Sequence, residues 1–236
     1  KAGKMLEEVH NKLADFVKPG ISTLEIDQFG EKAIRDLGCV PNFLNYNGYP
    51  ASICVSVNDE VVHGIPSKDR ILQDGDIVSL DAGLIHAGYH SDAARTHAVG
   101  NISEEAKRLI EVTKQSFFEG IKLAVPGNHL FDISEAIQKY VESNGYSVVR
   151  DLVGHGIGTH LHEDPQIPNF KQRRKGMKLR PGMTLAIEPM VNEGSYDVVW
   201  LDDDWTVVTE DGSLAAHYEN TIVITEDGCE ILTLSE

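Results

Sequence analysis

The chain is poor in cysteine and in positive charge, and it has no long apolar run. Three cysteines occur among 236 residues, at Cys39, Cys54 and Cys229. Their spacing suits neither a disulfide framework nor a zinc finger, which points to a reducing compartment. No stretch approaches the roughly 18–20 apolar residues of a membrane span. The residues from Lys1 onward read as an amphipathic helix rather than a secretory leader. Lys and Arg number 21 against 37 Asp and Glu, a formal net charge of −16. That balance disfavours nucleic acid as the main partner. One run departs from it, Lys171 to Arg180 (KQRRKGMKLR), which reads as a solvated loop or, alternatively, a docking patch. Two reaction signatures are also missing. Gly154-His155-Gly156-Ile157-Gly158 is Gly-rich but lacks the G-x-x-x-x-G-K-[ST] pattern of a phosphate loop. No G-x-S-x-G nucleophile elbow occurs. What remains is a chain long enough for one large domain or two, with a sizeable core.

Residues 2–17 place Leu6, Val9, Leu13 and Phe16 or Val17 at helical spacing, and Pro19-Gly20 ends that helix. Ser22 and Glu25 form a capping box for a second helix, with Phe29, Ile34 and Leu37 expected inward and Gly38 as its stop. Asn42 to Pro50 is an aromatic loop. Ser52 to Val62 reads as strand, Asn58-Asp59 turn, strand, delivering His63-Gly64-Ile65-Pro66. Ser103 caps a helix expected to reach about Ala124, and a further helix ends at Gly145. Val148 to Leu161 reads as strand and loop around His155-Gly156-Ile157-Gly158, and Met183 to Val191, interrupted by Glu188, Val198 to Thr209 and His217 to Thr225 read as strands.

Val78 to Arg95 (VSLDAGLIHAGYHSDAAR) alternates as a strand, turns near His86-Ala87-Gly88 and runs out again. Asp81 lies five residues before His86 and Asp92 five after Ala87, so with the turn centred there the two sit directly opposite each other, their Cβ atoms about 4.5–5.5 Å apart. Two like charges so placed need a proton or a cation between them. A slip of one residue would instead turn one of them to solvent.

The second half repeats the first. Pro19-Gly20 and Pro126-Gly127 stand 107 residues apart, and Ile26/Ile133, Gly38/Gly145, Leu72/Leu179 and Gly75/Gly182 keep that offset. At the same offset Asp81 falls on Glu188. With shifts in register, His63-Gly64-Ile65 matches His155-Gly156-Ile157, and Asp92 in YHSDAA matches Glu219 in AHYENT. A duplicated fold would bring equivalent carboxylates together about an approximate two-fold axis. Four acids in one place carry too much charge without cations, and two divalent ions would neutralise them. His155, His162 and His63 are candidates to complete the shell. Oxygen-rich ligands with one imidazole favour Mn²⁺, Fe²⁺ or Co²⁺ over a thiolate-rich zinc site. Two close metals would lower the pKa of a shared water and steady an oxyanion, which is hydrolytic chemistry.

At these residues the chain resembles the methionine aminopeptidases of the compact bacterial type I form. The resemblance rests on VVHGIP (Val61 to Pro66), SLDAG with SDAART (Ser79 to Thr96), GHGIG and HEDP (Gly154 to Pro165), MTLAIEP (Met183 to Pro189) and HYENTIV (His217 to Val223). It implies an α/β (α+β) pita-bread fold, with two pseudo-symmetric halves, antiparallel sheet and helices outside. A single metallopeptidase domain would span residues 1–236, its halves approximately 1–100 and 101–236. It further implies that Asp81, Asp92, His155, Glu188 and Glu219 ligate two divalent metal ions, Asp92 and Glu219 bridging them. Glu188 would accept a proton from the attacking, metal-bridging hydroxide's parent water. His162 would contact the scissile amide, and His63 would stand beside the substrate nitrogen. Tyr46, Tyr49, Cys54 and Trp205 match positions lining the family's methionine pocket. Departures from the family pattern are Leu161, where an aromatic is frequent, and Asp202-Asp203-Asp204 before Trp205. The implied activity is removal of initiator methionine from nascent chains by a cytoplasmic monomer, with room for a transient ribosome contact and no membrane. Alternatives are a prolidase or proline-aminopeptidase of the same fold, and a pita-bread binding module without catalysis.

Overall fold

The computed structural model describes residues 1–235. Helices α1 (Ala2–Phe16) and α2 (Thr23–Asp36) open the chain. Strands β1 (Val40–Pro41), β2 (Ile53–Val57) and β3 (Glu60–Val62) lead to a long hairpin, β4 (Ile77–His86) and β5 (Tyr89–Ala98). The second half also begins with two helices, α3 (Glu104–Ile121) and α4 (Leu130–Ser143). Strands β6 (Ser147–Val148), β7 (Gly154–Gly156), β8 (Glu163–Ile167), β9 (Thr184–Ile187) and β10 (Met190–Asn192) follow. Last come β11 (Val198–Trp200), β12 (Val207–Thr209), β13 (Ala215–His217), β14 (Glu219–Ile224) and β15 (Cys229–Ile231).

The main sheet is antiparallel, in the order β1-β4-β5-β14-β9-β7-β8, with β2 also on β4 and β15 also on β14. Outward from the central pair β5·β14 the order runs β4 then β2 on one side, and β9 then β7 on the other. Both helix pairs cover the same face. Leu6, Leu13, Ile26 and Ile34 of α1 and α2 pack on Val55, Val78, Leu80 and Leu84. Leu109, Phe117, Ile133 and Ile137 of α3 and α4 pack on Leu185, Ile187, Ile222 and Ile224. Side chains alternate across a strand, so the neighbours of these residues point to the uncovered face. Asp81 lies between Leu80 and Ala82, and Ala186 between Leu185 and Ile187.

The local signals act as their chemistry requires. Ser22 and Glu25 make the reciprocal capping box, and Gly38 follows α2 with a φ of +71°. Ser103 accepts from the Ala106 N–H at the start of α3. Two expectations are corrected, the hairpin register and the continuity of the Met183 to Val191 strand. The hairpin turns on two residues, Ala87 (φ +51°) and Gly88 (φ +82°), the conformation favoured between two twisted strands. Asp81 therefore pairs with Ala94, and Asp92 with Gly83. The two aspartates keep the same face but stand diagonally, not directly opposite. The stretch from Ser52 to Val62 is strand, turn at Asn58-Asp59 and strand as expected, β2 joining the main sheet and β3 a small sheet with β11 and β12. The Met183 to Val191 run is divided at Glu188-Pro189, since β10 belongs to another small sheet with β6 and β13. Phe29 and Leu37 are half-buried and pack against the α1–α2 core as expected; the buried face of α2 is Ile26, Gly30, Ala33 and Ile34.

Gly64, just after β3, sits where the chain crosses close to β2. A Cβ there would lie 2.3 Å from the Val55 carbonyl oxygen, which belongs to a sheet strand and has little freedom to yield. Gly64→Ala is expected to lower stability by about 1–3 kcal/mol, the usual cost of overpacking. Gly228→Ala, where a Cβ would meet nothing within 4 Å, should change little. Urea unfolding of both variants at one metal concentration checks the contrast.

Candidate metal centre

Five donor side chains reach one point on the uncovered face, each for a reason of register. Asp81 and Asp92 share that face through the hairpin. Glu219 pairs with Ala94, the same residue that faces Asp81 across the hairpin. His155 pairs with Ala186, and Glu188 follows two residues after Ala186, so both lie on its side. His155 Nδ1 bonds the Gly156 carbonyl at 2.8 Å. This leaves Nε2 aimed at the acids, 3.7 Å from Asp92 Oδ2 and 3.6 Å from Glu188 Oε1.

Four carboxylates so buried resist ionisation. Burial first, then its acidic neighbours Asp92 and Glu188, holds Asp81 well above the ordinary carboxylate range. Burial pushes Asp92 up to about 7. Glu188 and Glu219 are raised in the same way, burial again leading, although Arg95 opposes the shift at Glu219. The imidazoles move the other way. Burial, then His162, lowers His155 to about 4. Asp81 Oδ1, Asp92 Oδ1 and Glu219 Oε1 are buried without a hydrogen-bond partner among the described residues. Orphaned acceptors of this kind are costly unless a cation or proton meets them. Two sets, Asp92-His155-Glu219 and Asp81-His217-Glu219, each bring one donor atom per residue within 4.8 Å of the others. The residues present therefore fit a divalent cation.

The centre opens into a cavity of about 430 Å³. Every site residue expected from the sequence lines it: Tyr46, Tyr49, Cys54, His63, His162 and Trp205 join the five donors. Tyr49 and Trp205 meet edge to face, ring centres 5.1 Å apart, and the Tyr49 hydroxyl donates to the Gly64 carbonyl at 2.9 Å. Cys54 is buried, and burial followed by the Asp81 charge holds its thiol well above the usual range. It is a neutral wall, not a nucleophile. His63 has a φ of +60°, a strained backbone for a residue with a side chain. Burial, then His162, lowers it to about 4. His162 is exposed and joined to the Tyr46 hydroxyl at 2.7 Å through Nδ1, its ring 4.2 Å from that of His155.

The two departures have local explanations. Leu161 is buried in the apolar cluster with Phe43, Tyr49 and Cys54, filling the wall without an aromatic ring. Asp203 accepts from the Trp205 and Thr206 N–H groups and the Thr206 hydroxyl, at 2.9, 2.8 and 2.6 Å. Its charge holds the turn before Trp205. Sequence reasoning missed His217, which is fully buried 3.8 Å from Glu219 Oε2 and 3.9 Å from Glu188 Oε2. Its signal was present: two residues before Glu219, at strand spacing. Phe43, Leu152 and Met190 also line the cavity and carried no sequence signal.

The model of metallopeptidase family M24 matches residues 1–226. The chain belongs to metallopeptidase family M24. It is 58% identical to the methionine aminopeptidase of Clostridium acetobutylicum, over 100% of this chain and 94% of that protein. The crystal structure of methionine aminopeptidase from Rickettsia prowazekii superposes with a TM-score of 0.97 at 44% identity, covering 99% of this chain and 94% of that one. The Xaa-Pro dipeptidase of Bacillus anthracis shares the fold at a TM-score of 0.80 and 25% identity, over 100% of this chain and 59% of that one. The pita-bread architecture expected from the motifs is the one observed. No helix among the described residues is long and apolar enough to cross a membrane.

An M24 centre of this kind must lose protons to gain metal. Below about pH 7 Asp92 is protonated in the metal-free protein, and the other three acids are raised also. His155, near 4, is already neutral there. Cation affinity is therefore expected to rise with pH through about 7. Calorimetry at pH 6.5, in buffers of different ionisation enthalpy, should show net proton release on adding Mn²⁺ or Co²⁺. A heat of binding independent of buffer would mean that the carboxylates are already ionised.

Proposed function

We propose that this protein is a metal-dependent aminopeptidase that removes N-terminal methionine from peptides and new polypeptides. The observation that carries the reading is the direct opening of a buried carboxylate and imidazole centre into an aromatic, apolar cavity of about 430 Å³. A methionine thioether suits such walls, because sulfur–aromatic contacts are favourable. The relatives that match it end to end are methionine aminopeptidases.

We assign the ligands of two divalent ions to Asp81, Asp92, His155, Glu188 and Glu219, with Mn²⁺, Fe²⁺ or Co²⁺ suited to the oxygen-rich set. Bound divalent ions lower the pKa of water and polarise a carbonyl, which is the chemistry of amide hydrolysis. Glu188 takes the proton of the attacking water. His162, held by Tyr46, meets the scissile amide, and His63 stands on the nitrogen side. Desolvation, the leading cause at each, lowers His63 to about 4 and His162 below its ordinary value; a neutral imidazole can donate at one nitrogen and accept at the other. Trp205, Tyr49, Tyr46 and Cys54 enclose the methionine side chain.

Finer points belong to the same reading. The protein acts as a monomer in the cytoplasm, on chains leaving the ribosome. Lys171, Arg173, Arg174 and Arg150 border a surface groove with Phe131 and Phe170. That groove has the charge to meet RNA in a transient ribosome contact.

Metal-reconstituted protein is expected to cleave Met-Ala-X peptides much faster than X-Pro peptides. Preference for X-Pro would place it with the prolidase-like relatives, and no cleavage of either would make it a binding module. His63→Ala should keep both metals and lose about 10²–10⁴-fold in kcat, the range for a proton-transfer group. Asp92→Ala should lose metal outright. Elemental analysis beside kinetics reads both, and metal loss from His63→Ala would remove His63 from the substrate side.

A further inference from the structure

We propose that His217 is a sixth protein donor of the metal centre, its Nε2 lone pair serving the ion that Asp81 and Glu219 hold. This rests on the metal-centre reading above. The side chain is 1% exposed, and neither ring nitrogen has a hydrogen-bond partner among the described residues. Backbone bonds fix its place: its N–H and its carbonyl both pair with the Thr96 hydroxyl, at 2.9 Å each. An imidazole so buried and so unpartnered is a cost that the fold does not otherwise offset.

Its distances decide between two explanations. Nε2 lies 3.8 Å from Glu219 Oε2 and 3.9 Å from Glu188 Oε2. Hydrogen bonds from nitrogen to oxygen run about 2.7–3.2 Å, so both contacts are too long for one. Two donors on a single cation, each about 2.0–2.2 Å from it, stand at most about 4.4 Å apart. The spacing therefore suits a shared ion. His155, the imidazole already assigned as a ligand, stands at the same spacing, 3.7 and 3.6 Å from its two carboxylates. The two donor sets are also alike. Each has one aspartate and one imidazole, and they share Glu219, the side chain assigned to bridge. Without His217 one ion would have an imidazole and the other none.

The test uses the full chain labelled with ¹⁵N-histidine, stripped of metal and titrated with Zn²⁺ as a diamagnetic probe. His217→Gln and His155→Gln assign the two ring signals. The expected result is that the Nε2 resonances of both residues move to metal-bound positions, that of His217 with the second equivalent. Calorimetry of His217→Gln should show the first Zn²⁺ bound as in the wild type and the second at least about tenfold weaker. If His155 responds while His217 keeps an Nε2 proton or does not move, His217 is no donor and this inference fails alone. If neither ring responds, the metal-centre reading fails with it.

Discussion

Charge buried without counter-charge is the constraint on which this molecule turns. Asp81, Asp92, Glu188 and Glu219 meet on one face of the sheet, and burial leads the causes that keep each of them from ionising. An apolar substitution would relieve that conflict, so its presence has to be explained by what the acids hold. In the metal-free state protons moderate the repulsion. In the loaded state cations replace them. Both states need the same rigid spacing, which the surrounding sheet provides.

That rigidity is concentrated at the seam between the halves. The β5·β14 pair is short, with Glu219 opposite Ala94 and Asn220 opposite Ala93. Side chains lengthen it. The Thr221 hydroxyl accepts from the Asp92 N–H at 3.0 Å and donates to the Asp92 carbonyl at 2.8 Å, continuing the ladder where the strands part. Arg95 donates to the carbonyls of Ala94 and Glu219 and to Asn220 Oδ1, with its guanidinium over the Tyr218 ring. Asp92 and Glu219 are thus anchored by backbone bonds of their own residues.

Much of this was legible in the sequence because it depends on alternation. A lone acid in an apolar strand, as at Asp81 and Glu188, announces itself by breaking the pattern. The shared offset of 107 residues linked the two before any geometry was known. Register was less legible. Whether the hairpin turns on His86-Ala87 or on Ala87-Gly88 moves each partner by two residues, a shift that preserves the faces. The aspartates could be assigned to one face although their pairing was misplaced. His217 was hidden for another reason. A histidine beside a tyrosine and an asparagine in AHYENT breaks no hydrophobic pattern, so its one trace is the strand spacing from Glu219, and its burial without a partner is what gives that trace meaning. Phe43, Leu152 and Met190 reach the cavity through tertiary packing, which no local spacing records.

The division of the Met183 to Val191 run at Glu188-Pro189 shows how strand geometry and chemistry are joined. Inside a continuous ladder Glu188 would be flanked by strands on both sides, and proline has no N–H to offer such a ladder. Ending β9 at Ile187 lets the Glu188 side chain follow Ala186 onto the site face. Starting β10 at Met190 carries the chain into a second sheet, where Met190 forms part of the cavity wall. The Glu188 carbonyl is taken by Asn169 Nδ2 at 3.0 Å, so the break leaves that acceptor satisfied. One interruption thus places a carboxylate at the centre and an apolar side chain beside the substrate. The two requirements of the proposed chemistry, a polar centre and an apolar pocket, are met by consecutive turns of the same segment.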